Sequence, residues 1–298
     1  MRAAEMARDH LGHAFVGDVQ GCADEFKALV GRLEDELGRD FHLHCVGDLI
    51  NRGPDNLAVL EQIRNRMESG RAEYVLGNHE MGLIARYLGI REPSAGDTLS
   101  DLLESQEAGD WVQWLRDRPL VEAGELAGQR YVMVHASVHP DWDFDECQRR
   151  ARLAEAKLAE GDLEQCRAFL LEEGEPGDAR DDLGRLVSCR GVDADGHWSR
   201  TEPREPGREP WYRAWERSRH DYGVVYGHWA QQGLVVEAGL RGLDTGCVHH
   251  GPDRPGALTA WIPGSGSDSG LFGVPDDGFL SERAHREHGR LRSSQGKA

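Results

Sequence analysis

Three apolar runs, each closed by a glycine and then a side chain able to bind a metal or hydrogen-bond a ligand, constrain this chain more than any other feature. They are Ala14-Phe-Val-Gly-Asp18, Leu43-His-Cys-Val-Gly-Asp48 and Tyr74-Val-Leu-Gly-Asn78. Asp18, Asp48 and Asn78 are evenly spaced, about thirty residues per step, the length of one strand–helix–strand unit. Helical periodicity between them, over residues 25–37, 57–67 and 81–88, predicts an α/β arrangement with parallel strands. Right-handed crossovers bring the carboxyl ends of such strands to one edge, where α/β sheets bind ligands. Two later strands repeat the pattern with histidine, Tyr131-Val-Met-Val-His135 and Val224-Val-Tyr-Gly-His228, so five strand ends present five candidate ligands.

Between these strands lie additions. Residues 97–115 and 146–173 are helical in period with polar faces, whereas 174–182 and 201–210 are rich in Pro, Gly and charge and read as loops. The organisation expected is one domain over 10–262 with helical cap insertions at about 90–120 and 145–215. From 263 to 298 the chain loses periodicity and reads as a flexible tail.

A net charge of −18 disfavours nucleic-acid binding through a basic face, and an anionic ligand then needs a local positive source such as bound divalent cations. Cys22, Cys45, Cys147, Cys166, Cys189 and Cys247 stand far apart with no CxxC pair, which reads as reduced thiols in the cytoplasm. No apolar run approaches the roughly 20 residues of a membrane span.

A two-metal hydrolase needs hard oxygen donors, a carboxylate able to bridge two ions, and imidazoles to complete each shell. Asp18, Asp48, Asn78, His135 and His228 supply that set. Gln20, two residues after Asp18, offers an amide oxygen, a weaker and harder donor than imidazole that favours Mn²⁺ or Mg²⁺; a turn glutamine facing water has equal weight. Arg52, on a Gly-Pro turn after Asp48, suits phosphoryl oxygens. His79, beside Asn78, is placed to protonate a departing oxygen, and Glu80 is expected to hold that imidazole through its other ring nitrogen.

The blocks Gly-Asp-Val-Gln-Gly (17–21), Gly-Asp-Leu-Ile-Asn-Arg-Gly (47–53), Gly-Asn-His-Glu (77–80), the His135 strand, Gly-His-Trp (227–229) and Leu243-Asp-Thr-Gly-Cys247 resemble the calcineurin-like metallophosphoesterases, in the phosphoprotein-phosphatase branch. That resemblance implies a β-sandwich flanked by helices (α/β/β/α), with Asp48 bridging two divalent ions. Asp18 and Gln20 would serve one ion, and Asn78, His135 and His228 the other. It further implies His79 as general acid and Arg52 as phosphate clamp. Leu76 and Asn51 stand where protein Ser/Thr phosphatases carry arginine and aspartate. The likeness is instead to the bacterial symmetrical diadenosine tetraphosphate hydrolases, implying a small dinucleoside polyphosphate as substrate, two ADP as products, and Mn²⁺, with Co²⁺ or Mg²⁺ as alternatives. Departures are Ser137 in place of the usual glycine, Glu80 in place of the usual aspartate, and an altered loop after Cys247. Alternatives are a phosphomonoesterase acting on phosphoproteins or nucleic-acid 3′ ends, and a nucleotide-binding sensor without turnover. Trp142, Trp198, Trp211, Tyr212, Trp215 and Trp229 are available for base stacking, but packing in the cap is the commoner role and no adenine contact is assigned. The sequence leaves the oligomeric state open.

Overall fold

The computed structural model describes residues 12–204, 206–265 and 270–287. The expected domain start at residue 10 and the last part of the expected tail, 288–298, fall outside these. β1 (His13–Val16), β2 (His42–Cys45) and β3 (Ala72–Tyr74) pair in parallel in that order, joined by α1 (Ala23–Leu37) and α2 (Asn56–Glu68). The even spacing in the sequence is thus two crossover units. Asp55 starts α2 by accepting a hydrogen bond from the Ala58 amide, and α1 buries Phe26, Leu29 and Leu33 at helical spacing. Full burial of each such side chain contributes about 1.5–3 kcal/mol, and Leu29→Ala would cost about 2–5 kcal/mol.

Antiparallel β12 (Ala257–Trp261) and β13 (Phe279–Arg283) extend this sheet beyond β1. A second sheet runs β10 (Val235–Glu237), β11 (Leu240–Gly242), β9 (Tyr222–Tyr226), β5 (Gln129–Val134), β4 (Val121–Leu126), with β11, β9 and β5 parallel and the two flanking strands antiparallel. Period-two alternation decides which side chains face which layer. Phe15, Tyr131, Met133, Val225 and Trp261 form the apolar layer between the sheets, while Ala14, Val16, Val132, Val134 and Val224 face the other way into the core that includes the helices. The result is the expected helix-flanked sandwich.

α3 (Asn78–Tyr87), α4 (Ser100–Leu103) and α5 (Ala108–Arg116) follow β3. The cap holds α6 (Phe144–Ala159), α7 (Leu163–Leu171), α8 (Ala179–Ser188), α9 (Trp211–Arg217) and a small antiparallel sheet of β6 (Gly191–Asp193), β7 (Trp198–Ser199) and β8 (Arg208–Pro210). Two expectations need correction. The segment expected to be a loop over 174–182 already contains the start of α8, because Asp178 accepts from the Asp181 amide and Leu183, Leu186 and Val187 supply a buried face. The segment read as a flexible tail contains β13, and Phe272 enters the layer between the sheets. Asp276 there pairs at 2.8 Å with the fully buried Arg241 and accepts from the Trp261 indole at 2.9 Å. A buried guanidinium requires such a partner, which fixes the segment in place.

Candidate metal centre

The carboxyl ends of β1, β2 and β3 meet those of β5 and β9 at one rim of the sandwich. Ligand atoms of Asp48, His135 and His228 lie within 4.8 Å of one another there. Unusual backbone makes this possible. Among the described residues seven non-glycines have positive φ, and five of them stand on or beside the rim: Gln20, Asp48, Asn51, Arg52 and His228. Such strain persists only where surrounding contacts fix it, and it collects at functional sites.

Asp48 is buried, and its Oδ1 accepts from the His79 amide at 2.8 Å and sits 3.4 Å from His135 Nε2. A Cβ added at Gly77 would lie 2.2 Å from Asp48 Oδ1, so the glycine before Asn78 is required for the close approach. His135 Nδ1 is 2.9 Å from the Val46 carbonyl, which leaves Nε2 toward the site, 3.2 Å from Asn78 Oδ1. His228 Nε2 is 3.1 Å from the Ser188 carbonyl at the end of α8, and its amide donates to both oxygens of Asp18. Each imidazole therefore uses one nitrogen on a backbone carbonyl, the usual support of a ligating histidine, and His135 turns the other toward Asn78 and Asp48.

Electrostatics agree with that use. Burial holds His135 below its ordinary range, and burial, followed by His135 and Arg190, holds His228 well below, which favours the neutral form a metal ligand needs. Burial pushes Asp18 well above the ordinary carboxylate range, with Asp244 and Asp48 adding to it. For Asp244 burial is again the largest cause, raising it to about 6. For Asp48 burial acts against ionisation, but His135, His79 and the His79 amide outweigh it and leave the carboxyl lowered. Crowded buried carboxylates facing neutral imidazoles are a donor set suited to divalent cations, which relieve the repulsion.

Asp244 was missed as a site residue. It follows β11 through Leu243 and repeats the strand-then-aspartate ending of Asp18 and Asp48, which was the available signal. Arg190, also missed, follows α8 and faces Asp244, Asp48 and Asp18 from the cap.

Glu80 corrects the expectation placed on it. Its carboxylate does not hold the His79 ring. It accepts instead from the amides of Gly77, Asp48, Leu49 and Ile50 at 2.8–3.3 Å, tying the β2 loop to the start of α3. Burial and the Asp48 charge push Glu80 up to about 8, against the pull of these donors. The His79 ring is oriented by the Ile50 carbonyl, 2.9 Å from Nδ1, so Nε2 is the nitrogen that faces the cavity.

That cavity, of about 480 Å³, is walled by Gln20, Asp48, Arg52, Asn78, His79 and His228. Gln20 is buried in its wall, and the Arg52 guanidinium is directed by the Ala95 carbonyl at 3.0 Å. Arg190, Asn78 and His228 are shared with a second cleft of about 800 Å³ that opens between α3 and the cap. Arg91, Arg180, Arg200 and Trp198 line it over an apolar floor that includes Met81, Ile90 and Leu183. The other tryptophans considered for stacking, Trp142, Trp211, Trp215 and Trp229, are buried.

A model of the calcineurin-like phosphoesterases matches residues 14–256. A Shewanella sp. (strain MR-4) protein named "Bis(5'-nucleosyl)-tetraphosphatase, symmetrical" is 34% identical over 256 residues, covering 80% of this chain and 91% of that protein. A Cellvibrio japonicus protein of the same name is 34% identical over 252 residues, covering 79% and 91%. The crystal structure of a "putative diadenosine tetraphosphatase" superposes with a TM-score of 0.60 at 23% identity, over 92% of this chain and 94% of that one. That last likeness bears on the fold.

Proposed function

Since this chain belongs to the calcineurin-like phosphoesterases, we propose that it hydrolyses the phosphoanhydride bridge of dinucleoside polyphosphates, taking diadenosine tetraphosphate and water to two ADP. The observation that carries this reading is the convergence of Asp48, His135 and His228 under the His79 ring.

Asp48, Asn78, His135 and His228, with Asp18, Asp244 and Gln20, would hold two divalent ions, which would supply Lewis-acid charge at the phosphoryl oxygens and activate water for attack. The mix of carboxylate, amide and imidazole donors supports Mn²⁺ as the resident ion. His79, with Nδ1 on the Ile50 carbonyl, presents Nε2 to the departing oxygen and donates a proton to the leaving nucleoside diphosphate. Arg52 and Arg190 face the cavity from opposite elements and neutralise phosphoryl charge that grows in the transition state. The amino terminus of α3 points the same way and adds its partial positive charge. The adjoining cleft, with four arginines and Trp198, accepts one nucleotide half, its phosphate on the guanidiniums and its base against the apolar floor. The six cysteines are buried and form no disulfide among the described residues, which supports a reducing, cytoplasmic setting.

The test is product analysis of diadenosine tetraphosphate incubated with the protein and Mn²⁺, resolved by ion-exchange chromatography. ADP as sole product is expected. ATP with AMP would overturn symmetric cleavage. Turnover confined to a phosphopeptide or a 3′-phosphorylated oligonucleotide would overturn the substrate class.

A further inference from the structure

The amino ends of β1, β2 and β3 carry a second cluster of ligand-type side chains that the reaction does not use. β2 reads Phe41-His42-Leu43-His44-Cys45, and its register pairs His42 with His13, His44 with Phe15 on β1, and His44 with Glu73 on β3. Alternation turns Leu43 and Cys45 toward the helices. His42 and His44 therefore face the interior of the sandwich, beside Phe15, where the pattern calls for apolar residues. Both imidazoles are 2% exposed.

A buried imidazole needs hydrogen-bond partners, and His42 has only a long-range ionic neighbour. Neither of its ring nitrogens has a hydrogen-bond partner, and the Glu73 carboxylate lies 3.8 Å from Nε2. A buried polar atom in that state destabilises the fold, so the His42 ring calls for a partner its neighbours do not supply. His44 is held differently. Glu122 of β4, on the opposite sheet, approaches His44 Nδ1 at 2.9 Å and accepts from the Tyr131 hydroxyl at 2.9 Å. That contact is the carboxylate support of a ligating histidine and turns Nε2 toward His13 Nδ1, 2.9 Å away.

We propose that His42, His44 and Glu73, whose ligand atoms lie within 4.8 Å of one another, bind a divalent ion of the Zn²⁺ class at a site separate from the catalytic rim. Two imidazoles and a carboxylate match Zn²⁺, Co²⁺ or Ni²⁺, whereas Mg²⁺ prefers an all-oxygen shell. The cluster lines a cavity of about 880 Å³ between the sheets, and Glu73, 35% exposed, marks the way in. His42 stands at the first residue of β2 and Asp48 beyond its last, so the two centres occupy opposite ends of one strand. An ion here ties both sheets together, since His42, His44 and Glu73 come from one and Glu122 from the other.

The experiment separates the centres by removing the catalytic one. Asp48→Asn protein is dialysed against micromolar Zn²⁺ and its metal counted per chain, alongside Asp48→Asn/His42→Leu and Asp48→Asn/Glu73→Gln. Asp48→Asn is expected to retain about one Zn²⁺ and to gain thermal stability with added Zn²⁺, and both double variants to lose ion and shift together. Should His42→Leu fail to fold, as circular dichroism would show, the partly exposed Glu73→Gln decides alone. Absence of Zn²⁺ from the Asp48→Asn protein, or equal metal counts in it and in a folded double variant, overturns the proposal.

Discussion

The two ends of the same three parallel strands treat polar side chains in opposite ways. At the carboxyl ends Asp18 and Asp48 stand in loops just after the strands and Asn78 opens α3, where the positive φ of Asp48, glycine-only contacts and backbone groups hold the site. At the amino ends His13, His42, His44 and Glu73 stand inside the strands, aimed first by the pleat, and neither ring nitrogen of His42 has a hydrogen bond. A loop has free amides and carbonyls to spend on orienting a side chain, whereas a strand has committed them to the ladder. Precise chemistry therefore belongs at the first end, and the second can be altered without touching it.

The sharpest way to break this contrast is His79→Ala, which should lower kcat about 10²–10⁴-fold while Mn²⁺ content stays constant. Unchanged turnover would remove the carboxyl-end chemistry as described. Glu80→Gln comes next: an amide in place of the carboxylate turns a donor toward the clamped N–H groups, and Mn²⁺ affinity or activity should fall about 10–100-fold, read by metal titration. Retained affinity would show that the loop holds its shape without the clamp. Arg190→Ala should reduce kcat/KM about tenfold, mainly through kcat, because a charge-assisted contact that strengthens in the transition state is lost while ion content is not.

A smaller effect, on stability, sits beside the rim. The Asp97 carboxylate accepts from the Ser94 amide at 2.9 Å and from Asn51 at 3.3 Å, and lies 3.4 Å from Arg86 Nη1. Burial opposes its ionisation, but these contacts and Arg91 prevail and lower it to about 2. A depressed acid stabilises the fold above its unfolded value near 4 and loses that contribution as pH falls toward 2. Asp97→Asn should thus cost about 1–2 kcal/mol at pH 7, a penalty that vanishes near pH 2 in denaturant titrations. Smallest of all, His42→Leu should leave turnover within about twofold, since distant sites act additively. A large loss would show that the two strand ends are coupled.

Legibility in the sequence follows the same division. β1 to β3 and their crossovers could be read because the spacing is regular and each strand ends in glycine. The placement of Asp18, Asp48, Asn78, His135 and His228 at one rim followed from parallel topology. That these strands belong to two stacked sheets left no periodic trace and came only through family resemblance. Asp244 escaped because β11 spans only Leu240–Gly242, too short to announce itself as a strand. The partner of His79 was misassigned because Glu80 is its chain neighbour, while the Ile50 carbonyl is 29 residues away and has no side-chain signature. Residues 270–283 hid their attachment because Phe272 and Asp276 act as single side chains and the five-residue β13 is short and mostly polar. His44 passes as part of the apolar run from Leu43 and His42 stands just outside it, although a strand cannot bury two imidazoles on one face without consequence.

The bond between His228 Nε2 and the carbonyl closing α8 makes the lid over the substrate part of the machinery beneath it. Substrate choice in such an enzyme cannot be exchanged like a tool head, because a replacement lid must still deliver one main-chain oxygen to the ring below. Any change in the outer helices must therefore keep that last turn in place.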